Sequence, residues 1–186
     1  MKQKSHHTAP KASPVQQDLF KASLQEPASN FISVYRVSLV KDGSIPFGES
    51  RLHNAPQAQS IVRKLIEARG QSDREQFCII LLNARNEIIG MNIVATGTLT
   101  STSVSLRELF KPAIIANSAA MILSHNHPSG DPEPSPEDFH LTKIIVQAAK
   151  MLGIQVHEHL IINMEDERYY SFADNGHIKR FYDEVA

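Results

Sequence analysis

The sequence predicts one α/β (α+β) domain in which a mixed β-sheet is flanked by helices. Two observations predict this class. Apolar, β-branched stretches typical of strands alternate along the chain with stretches whose apolar residues recur at helical spacing. Hydrophobic residues make up 41% and charged residues 21% of the 186 residues, which is the composition of a globular domain.

Residues 1–30 are expected to form a flexible polar tail, and residues 31–186 the folded domain. The tail has three prolines and few apolar side chains. "FISVYRVSLV", which begins at Phe31, has the composition of a strand and ends at an Asp-Gly turn signal. "PQAQSIVRKLIEARG" follows with helical periodicity, and Gly70 is its expected end.

The middle of the chain supplies the expected central strands. "FCIILLN" is apolar throughout, which predicts a strand buried on both faces, and "IIGMNIVATG" is predicted to pair with it. "SLRE", Ser105 to Glu108, has the spacing of a capping box and opens a helix that Pro112 is expected to kink or interrupt. "AAMILSH" predicts another buried strand.

A long helix is predicted from Ser135, closed by Gly153. Its expected apolar face contains Leu141, Ile144, Ile145 and Ala148. "IQVHEHLIIN" then predicts a strand, "YYSF" a short last strand, and "GHIKRFYDEV" a terminal helix.

Charge and cysteine content narrow the function classes. A net charge of −1 does not favour a polyanion-binding surface. No apolar run reaches the roughly 18 residues of a membrane span, and no apolar segment follows the N-terminal lysines, so neither a membrane anchor nor a secretory signal is expected. Cys78 is the only cysteine, which excludes an intrachain disulfide and favours a cytoplasmic location.

The segment "SHNHPSGDPEPSPED" contains the candidate metal ligands. Residues i and i+2 of a strand point to the same side, so His125 and His127 should project together. Asp138 follows His127 by eleven residues, in the first turn of the next predicted helix. Two imidazoles and one carboxylate are the protein ligands of many catalytic zinc sites, in which the fourth position stays open to water.

Both parts of this segment also have an ordinary structural interpretation. Ser135 to Asp138, "SPED", is a typical helix start, with a serine cap, a proline and two acidic residues. The i, i+2 histidine pair recurs at His157 and His159. The residues by themselves therefore leave a metal site and a capped helix after a strand equally open.

The string "HNHPSGDPEPSPED" resembles the JAMM motif of the JAB/MPN metalloprotease superfamily: His-x-His-Pro, six residues, Ser, two residues and Asp. With "REQFCIILLN" and "GTLTSTSVSLREL" the chain resembles the RadC family more narrowly, from about Glu67 to Phe172. The resemblance implies a single MPN/JAB-like domain with a curved mixed sheet and cytidine-deaminase-like layering. It also implies that His125, His127 and Asp138 hold one Zn²⁺ per chain.

The resemblance further implies that Ser135 hydrogen-bonds the oxyanion and that an upstream glutamate serves as general acid/base. Three glutamates compete for the second role. Glu108 is explained by the expected capping box, and Glu87 by a solvated strand end after the "ARN" turn. Glu75 precedes the buried "FCIILLN" run and matches the family's glutamate, so it is the residue we predict.

The chain departs from the family pattern at two places. Residues 1–30 are too short and too polar for the helical DNA-binding-like module that precedes the domain in many RadC proteins. Glu158 stands where the family usually has Asp before a histidine. His159 matches that histidine, and we expect it to support the core or the site rather than to bind the metal.

The resemblance implies a zinc-dependent hydrolase, and we expect a metallopeptidase or isopeptidase with a peptide or protein substrate and no membrane partner. The alternatives are a DNA repair or recombination factor, a zinc-dependent nuclease, and a binding module whose metal is structural. A nucleic-acid partner gains no support from the balanced charge. The sequence does not specify the substrate or the oligomeric state.

Overall fold

The computed structural model describes residues 32–97 and 104–184. The elements described below belong to the compact unit that begins at Val37. The predicted tail, residues 1–30, lies outside the described residues. No helix in the described ranges is long and apolar enough to cross a bilayer.

Helices and strands are interleaved along the described chain, as the sequence predicts. The helices are α1 (Ala55–Arg69), α2 (Leu106–Ile115), α3 (Pro136–Leu152) and α4 (His177–Asp183). The strands are β1 (Gln76–Leu82), β2 (Ile88–Thr96), β3 (Ala120–Asn126), β4 (Gln155–Ile162) and β5 (Tyr169–Ser171).

The five strands form one mixed sheet in the order β2-β1-β3-β4-β5. β1 is antiparallel to both β2 and β3, whereas β3 and β4 run parallel, and β5 returns antiparallel to β4. The α3 helix is the crossover between the two parallel strands, the usual connection for such a pair. The predicted α/β class with a mixed sheet flanked by helices is confirmed.

Both faces of the central strands are covered, which explains why β1 and β3 are apolar almost throughout. Phe77, Ile79 and Leu81 face a core that includes residues of α2, α3 and α4. Cys78 and Ile80 point the other way, into a core shared with α1. All seven residues of β1 and all seven of β3 are buried, so neither strand shows the alternating pattern of a half-exposed sheet.

Local signals set the helix ends where the sequence predicts them. Asn54 caps α1 by accepting a hydrogen bond from the backbone N–H of Gln57, and the N–H of Gly70 closes the last turn onto Ile66. Gly153 ends α3 with φ 70°, in the left-handed region that favours glycine.

The predicted strand "FISVYRVSLV" is not formed in its described part. Residues 32–40 have no strand pairing, and Ile32 and Val34 are 93% and 95% exposed. β-branched composition favours a strand only where a neighbour supplies the hydrogen-bonding ladder, and no strand in the described part of the chain pairs with these residues. Further along the chain, an isolated bridge joins Arg51 to Glu87, the residue before β2.

The capping box predicted at the start of α2 is not formed, and the helix is not interrupted at Pro112. Ser105 makes no side-chain capping bond, and Glu108 instead pairs with Lys111 at 2.7 Å. Pro112 lies inside the helix, which continues to Ile115 and is closed by the Ala116 N–H donating to the Pro112 carbonyl. The glutamate of an apparent capping box can thus be used by a lysine three residues further on, on the same face of the helix.

The Cys78 thiol should be inert in the folded protein, because burial raises its pKa to about 12 and the thiolate is the reactive species. We expect no alkylation by iodoacetamide at about pH 8 under native conditions and full alkylation in urea, as measured by mass spectrometry. Rapid modification of the native protein would show that β1 opens, contrary to its complete burial.

Candidate metal centre

The first candidate ligand, His125, lies at the carboxyl end of β3 and is buried in the interior. His125 lies opposite Phe77 of β1 and Ile161 of β4, so it is held between two strands, and it is 1% exposed. The ring of Phe77 stacks on its imidazole at 5.8 Å between centroids. The position and the orientation of this imidazole are therefore fixed by the sheet.

Asn126, between the two histidines, points to the opposite side, as strand alternation requires. Its side-chain oxygen accepts from the Gln76 N–H at 2.9 Å, and its amide nitrogen donates to the Arg74 carbonyl at 2.9 Å. These two bonds hold the backbone on either side of Glu75. The spacer of the His-x-His pair thus ties the entry of β1 to the end of β3.

His127 follows the end of β3 and is oriented by the turn that comes after it. Its Nδ1 lies 2.7 Å from the Asp131 carbonyl oxygen, and the Gly130 N–H donates back to the His127 carbonyl. A carbonyl can only accept, so Nδ1 carries the proton, and in the neutral ring Nε2 keeps its lone pair. Gly130 has φ 78°, which suits glycine at this tight return.

Asp138 is held at the start of α3 by a complete capping box. Its backbone N–H donates to Ser135 Oγ at 3.2 Å, while its Oδ2 accepts from the Ser135 N–H at 2.8 Å and from the Ser135 hydroxyl at 2.6 Å. The helix-cap interpretation of "SPED" is therefore right. It does not compete with ligation, because the capped carboxylate also faces the two histidines.

The three side chains converge to distances that fit a bound metal ion. The Nε2 atoms of His125 and His127 lie 3.1 Å apart, and they lie 3.2 and 3.6 Å from Asp138 Oδ1 and Oδ2, respectively. Tetrahedral ligands at about 2.0–2.1 Å from a metal are separated by about 3.3–3.4 Å. These residues form a three-ligand group that can hold a metal ion.

Electrostatics favour the ionised carboxylate. Burial alone would raise the pKa of Asp138, but its contacts with the His125 and His127 imidazoles and the hydrogen bonds from Ser135 outweigh it and hold that pKa well below its usual range. Burial would likewise lower the pKa of His127, but the Asp138 carboxylate, the Asp131 carbonyl and the charge of Glu75 together raise it. The ionised Asp138 carboxylate thus supplies negative charge that stabilises a cation.

The three candidate glutamates lie in different parts of the fold. Glu75 immediately precedes β1, near enough for its charge to raise the pKa of His127, and its carbonyl accepts from the Gly97 N–H. Glu87 accepts from the Asn83 side chain beyond the other end of β1, and Glu108 pairs with Lys111 on α2. The acid/base role of Glu75 stays a prediction, on a residue beside the histidines.

Within residues 32–97 and 104–184, the second His-x-His pair belongs to no group of side chains that could hold a metal ion. The pairing of β3 with β4 shifts register beside His157, whose Nε2 contacts the Asn86 side chain 3.1 Å away. His159 is fully buried instead, with Nε2 2.9 Å from His125 Nδ1 and Nδ1 2.6 Å from the hydroxyl of Thr142. The expectation that His159 supports the site or the core agrees with these contacts.

Thr142 is a site neighbour that sequence reasoning missed. It lies one helical turn after Asp138 on the buried face of α3, where the other buried side chains are mainly apolar. A polar residue on such a face, four positions after a candidate ligand, was the available signal. A threonine in that position is also a common core residue, so the signal is weak.

Removing a ligand should abolish metal binding. We expect near-stoichiometric divalent metal by elemental analysis in the wild-type protein, and its loss in His125→Ala and Asp138→Ala, because two ligands do not complete a site. His157→Ala, which alters the other His-x-His pair, is the matched control and should retain the metal. Equal metal content in all four proteins would exclude this group as the site.

Comparison with known proteins shows which family the chain resembles. A family model described as RadC, RadC-like JAB domain, matches residues 53–177. A UPF0758 protein of Symbiobacterium thermophilum is 49% identical over 102 residues, covering 55% of this chain and 43% of that protein. A UPF0758 protein of Desulforamulus reducens is 47% identical over 104 residues, covering 56% of this chain and 45% of that protein.

The chain thus spans less than half the length of these relatives. The matched region contains α1, the whole five-stranded sheet and the three-ligand group. Because the family model covers more than half of the chain, this protein belongs to the RadC family and carries its JAB domain.

Proposed function

We propose that the domain is a zinc-dependent hydrolase of the JAMM type that cleaves peptide or isopeptide bonds. The observation that carries the proposal is the convergence of two imidazole nitrogens and one carboxylate at the separations of a tetrahedral site. JAB/MPN proteins are often hydrolases, and family membership makes the same chemistry the first expectation for this chain.

Zinc is the metal that this donor set favours. Two imidazoles with one carboxylate form a borderline, nitrogen-rich site, whereas Mg²⁺ and Ca²⁺ prefer oxygen ligands. Three protein ligands leave one position of a tetrahedral site open. When bound, the ion supplies Lewis-acid activation of water and of the scissile carbonyl.

Glu75 is the proposed general acid/base. It precedes β1, in which Phe77 pairs with His125, and the bonds of Asn126 to Arg74 and Gln76 fix the backbone on either side of it. From there its carboxylate accepts the proton of the attacking water and later delivers it to the leaving amine nitrogen. One side chain thus carries out both proton transfers of amide hydrolysis.

Ser135 is the proposed oxyanion donor. Its hydroxyl donates to Asp138 Oδ2, and its backbone N–H donates to the same oxygen. Rotation about its Cα–Cβ bond would turn the hydroxyl toward a substrate oxygen, while the backbone N–H keeps the ligand in place. One residue can thereby stabilise the charge that develops on the carbonyl oxygen and still hold Asp138.

The charge of the surrounding loop favours a peptide substrate over a nucleic acid. Residues 128–138 contain Asp131, Glu133, Glu137 and Asp138 and no lysine or arginine. A phosphodiester backbone would approach these carboxylates without the basic contacts that normally hold it. A peptidase is therefore favoured over a nuclease or a DNA repair factor, and a cleavage assay on both kinds of substrate distinguishes them.

Replacing Glu75 by Gln should abolish turnover while the metal stays bound. We expect hydrolysis in a zinc-loaded, proteome-derived peptide library to fall roughly 100- to 10,000-fold, because the proton acceptor is lost and the three ligands are untouched. Glu87→Gln and Glu108→Gln are the matched controls and should keep wild-type rates. Chelator-sensitive cleavage of DNA or RNA with no peptide cleavage would replace the peptidase by a nuclease.

Replacing Ser135 by Gly should separate capping from catalysis. Glycine at a helix cap costs only a few tenths of a kcal/mol relative to serine, so thermal stability and metal content should be nearly unchanged. Loss of the oxyanion donor should lower kcat roughly 100- to 1,000-fold. A fall in metal content that accounts for the whole loss of activity would reduce Ser135 to a cap.

A further inference from the structure

A chain of three hydrogen bonds extends from Nδ1 of His125, the ring nitrogen on the other side from the Nε2 that faces Asp138. His125 Nδ1 lies 2.9 Å from His159 Nε2, and His159 Nδ1 lies 2.6 Å from the Thr142 hydroxyl. The hydroxyl in turn donates to the Asp138 backbone carbonyl at 2.5 Å. The chain begins at one candidate ligand and ends on the backbone of another.

The far end of this chain sets the direction of every bond in it. A carbonyl oxygen can only accept, so the single Thr142 hydroxyl proton is used there, and Oγ can then only accept from His159 Nδ1. A neutral His159 that carries its proton on Nδ1 has a lone pair on Nε2. That lone pair accepts from His125 Nδ1, which leaves His125 Nε2 unprotonated and directed at the centre.

We propose that Thr142 and His159 are positioning residues that hold His125 in the tautomer whose Nε2 lone pair binds the metal. The inference rests on the metal site of the proposed function and deepens it. His125 and His127 would reach the same tautomer by different routes, because His127 donates directly to a carbonyl whereas His125 depends on two further side chains.

The packing around His159 leaves no substitute for the Thr142 hydroxyl. His159 is fully buried, stacked on Phe172 at 4.9 Å and tilted against Phe77 at 5.4 Å. Water therefore has no access to Nδ1 when the hydroxyl is removed. A buried His159 without that acceptor moves its proton to Nε2, which then donates to His125 and favours the His125 tautomer with the proton on the metal-facing nitrogen.

The first test compares two replacements of Thr142 by zinc affinity, measured in competition with a chromophoric chelator. Thr142→Val keeps the shape of the side chain but removes the hydroxyl, and we expect Kd to rise roughly 10- to 100-fold. Thr142→Ser restores the hydroxyl and should return the affinity close to that of the wild type. Ser124→Ala removes another buried hydroxyl, which has no hydrogen-bond partner within the described ranges, and should leave Kd unchanged.

The second test replaces His159 and covers the case in which Thr142→Val does not fold. His159→Leu removes the acceptor for His125 Nδ1, whereas His159→Gln places an amide oxygen near the position of Nε2. We expect a weaker Kd in the first variant and recovery of most of the affinity in the second. Thermal unfolding of each variant separates a loss of fold from a loss of affinity.

Imidazole nitrogen NMR of the zinc-loaded wild-type protein tests the direction of the chain without any mutation. We expect His159 to be neutral with its proton on Nδ1, and a proton on its Nε2 would overturn the inference. Equal zinc affinity in Thr142→Val and Thr142→Ser, or equal loss in both, would also overturn it.

These outcomes are distinct from failure of the proposed hydrolase. If the wild-type protein binds zinc with the expected Thr142 dependence but cleaves no peptide, the positioning role stands and the hydrolase proposal falls. If the wild-type protein binds no zinc, both fall together.

Discussion

The hydrogen bond from the Ser135 backbone N–H to the Asp138 carboxylate is the interaction on which the rest of the centre depends. One carboxylate caps α3 and faces the two histidines at the same time. Helix capping therefore supplies the orientation that a ligand needs before any metal arrives. A side chain that is already ordered loses less conformational entropy when it binds, which is the usual advantage of a preorganised site.

The sheet provides the second constraint. β1 and β3 are antiparallel, so the start of β1 meets the end of β3, and Glu75 comes to lie beside the histidines. β4 runs parallel to β3 and presents His159 behind His125. Strand direction thus decides which residues surround the centre, and helix α3 closes it by returning the chain from β3 to β4.

Much of the fold could be predicted from the sequence because it is encoded locally. Continuous apolar runs correctly predicted β1 and β3. Serine and proline predicted the start of α3, and glycine predicted its end. Non-local partners could not be read in this way. The strand-like residues 32–40 pair with no strand among the residues that the structure describes, and Glu108 binds Lys111 where a capping bond was expected.

The same distinction holds within the centre. His125, His127 and Asp138 lie in one short segment, so their spacing and a family motif predict them as a group. The role of Thr142 and His159 becomes visible only from the contact between them, which depends on the packing of α3 against β4. Nothing in the order of residues specifies that contact.

Asn126 has a consequence for anyone who wishes to transplant this centre to another scaffold. The residue touches neither histidine ring in its hydrogen bonding, yet it fastens the backbone on both sides of Glu75. Transplanting only the His-x-His segment and the capped aspartate would transfer the metal-binding atoms. The strand that follows Glu75 would then no longer be held in register beside them. The smallest portable unit is therefore two strands and a helix start, joined through an amide side chain.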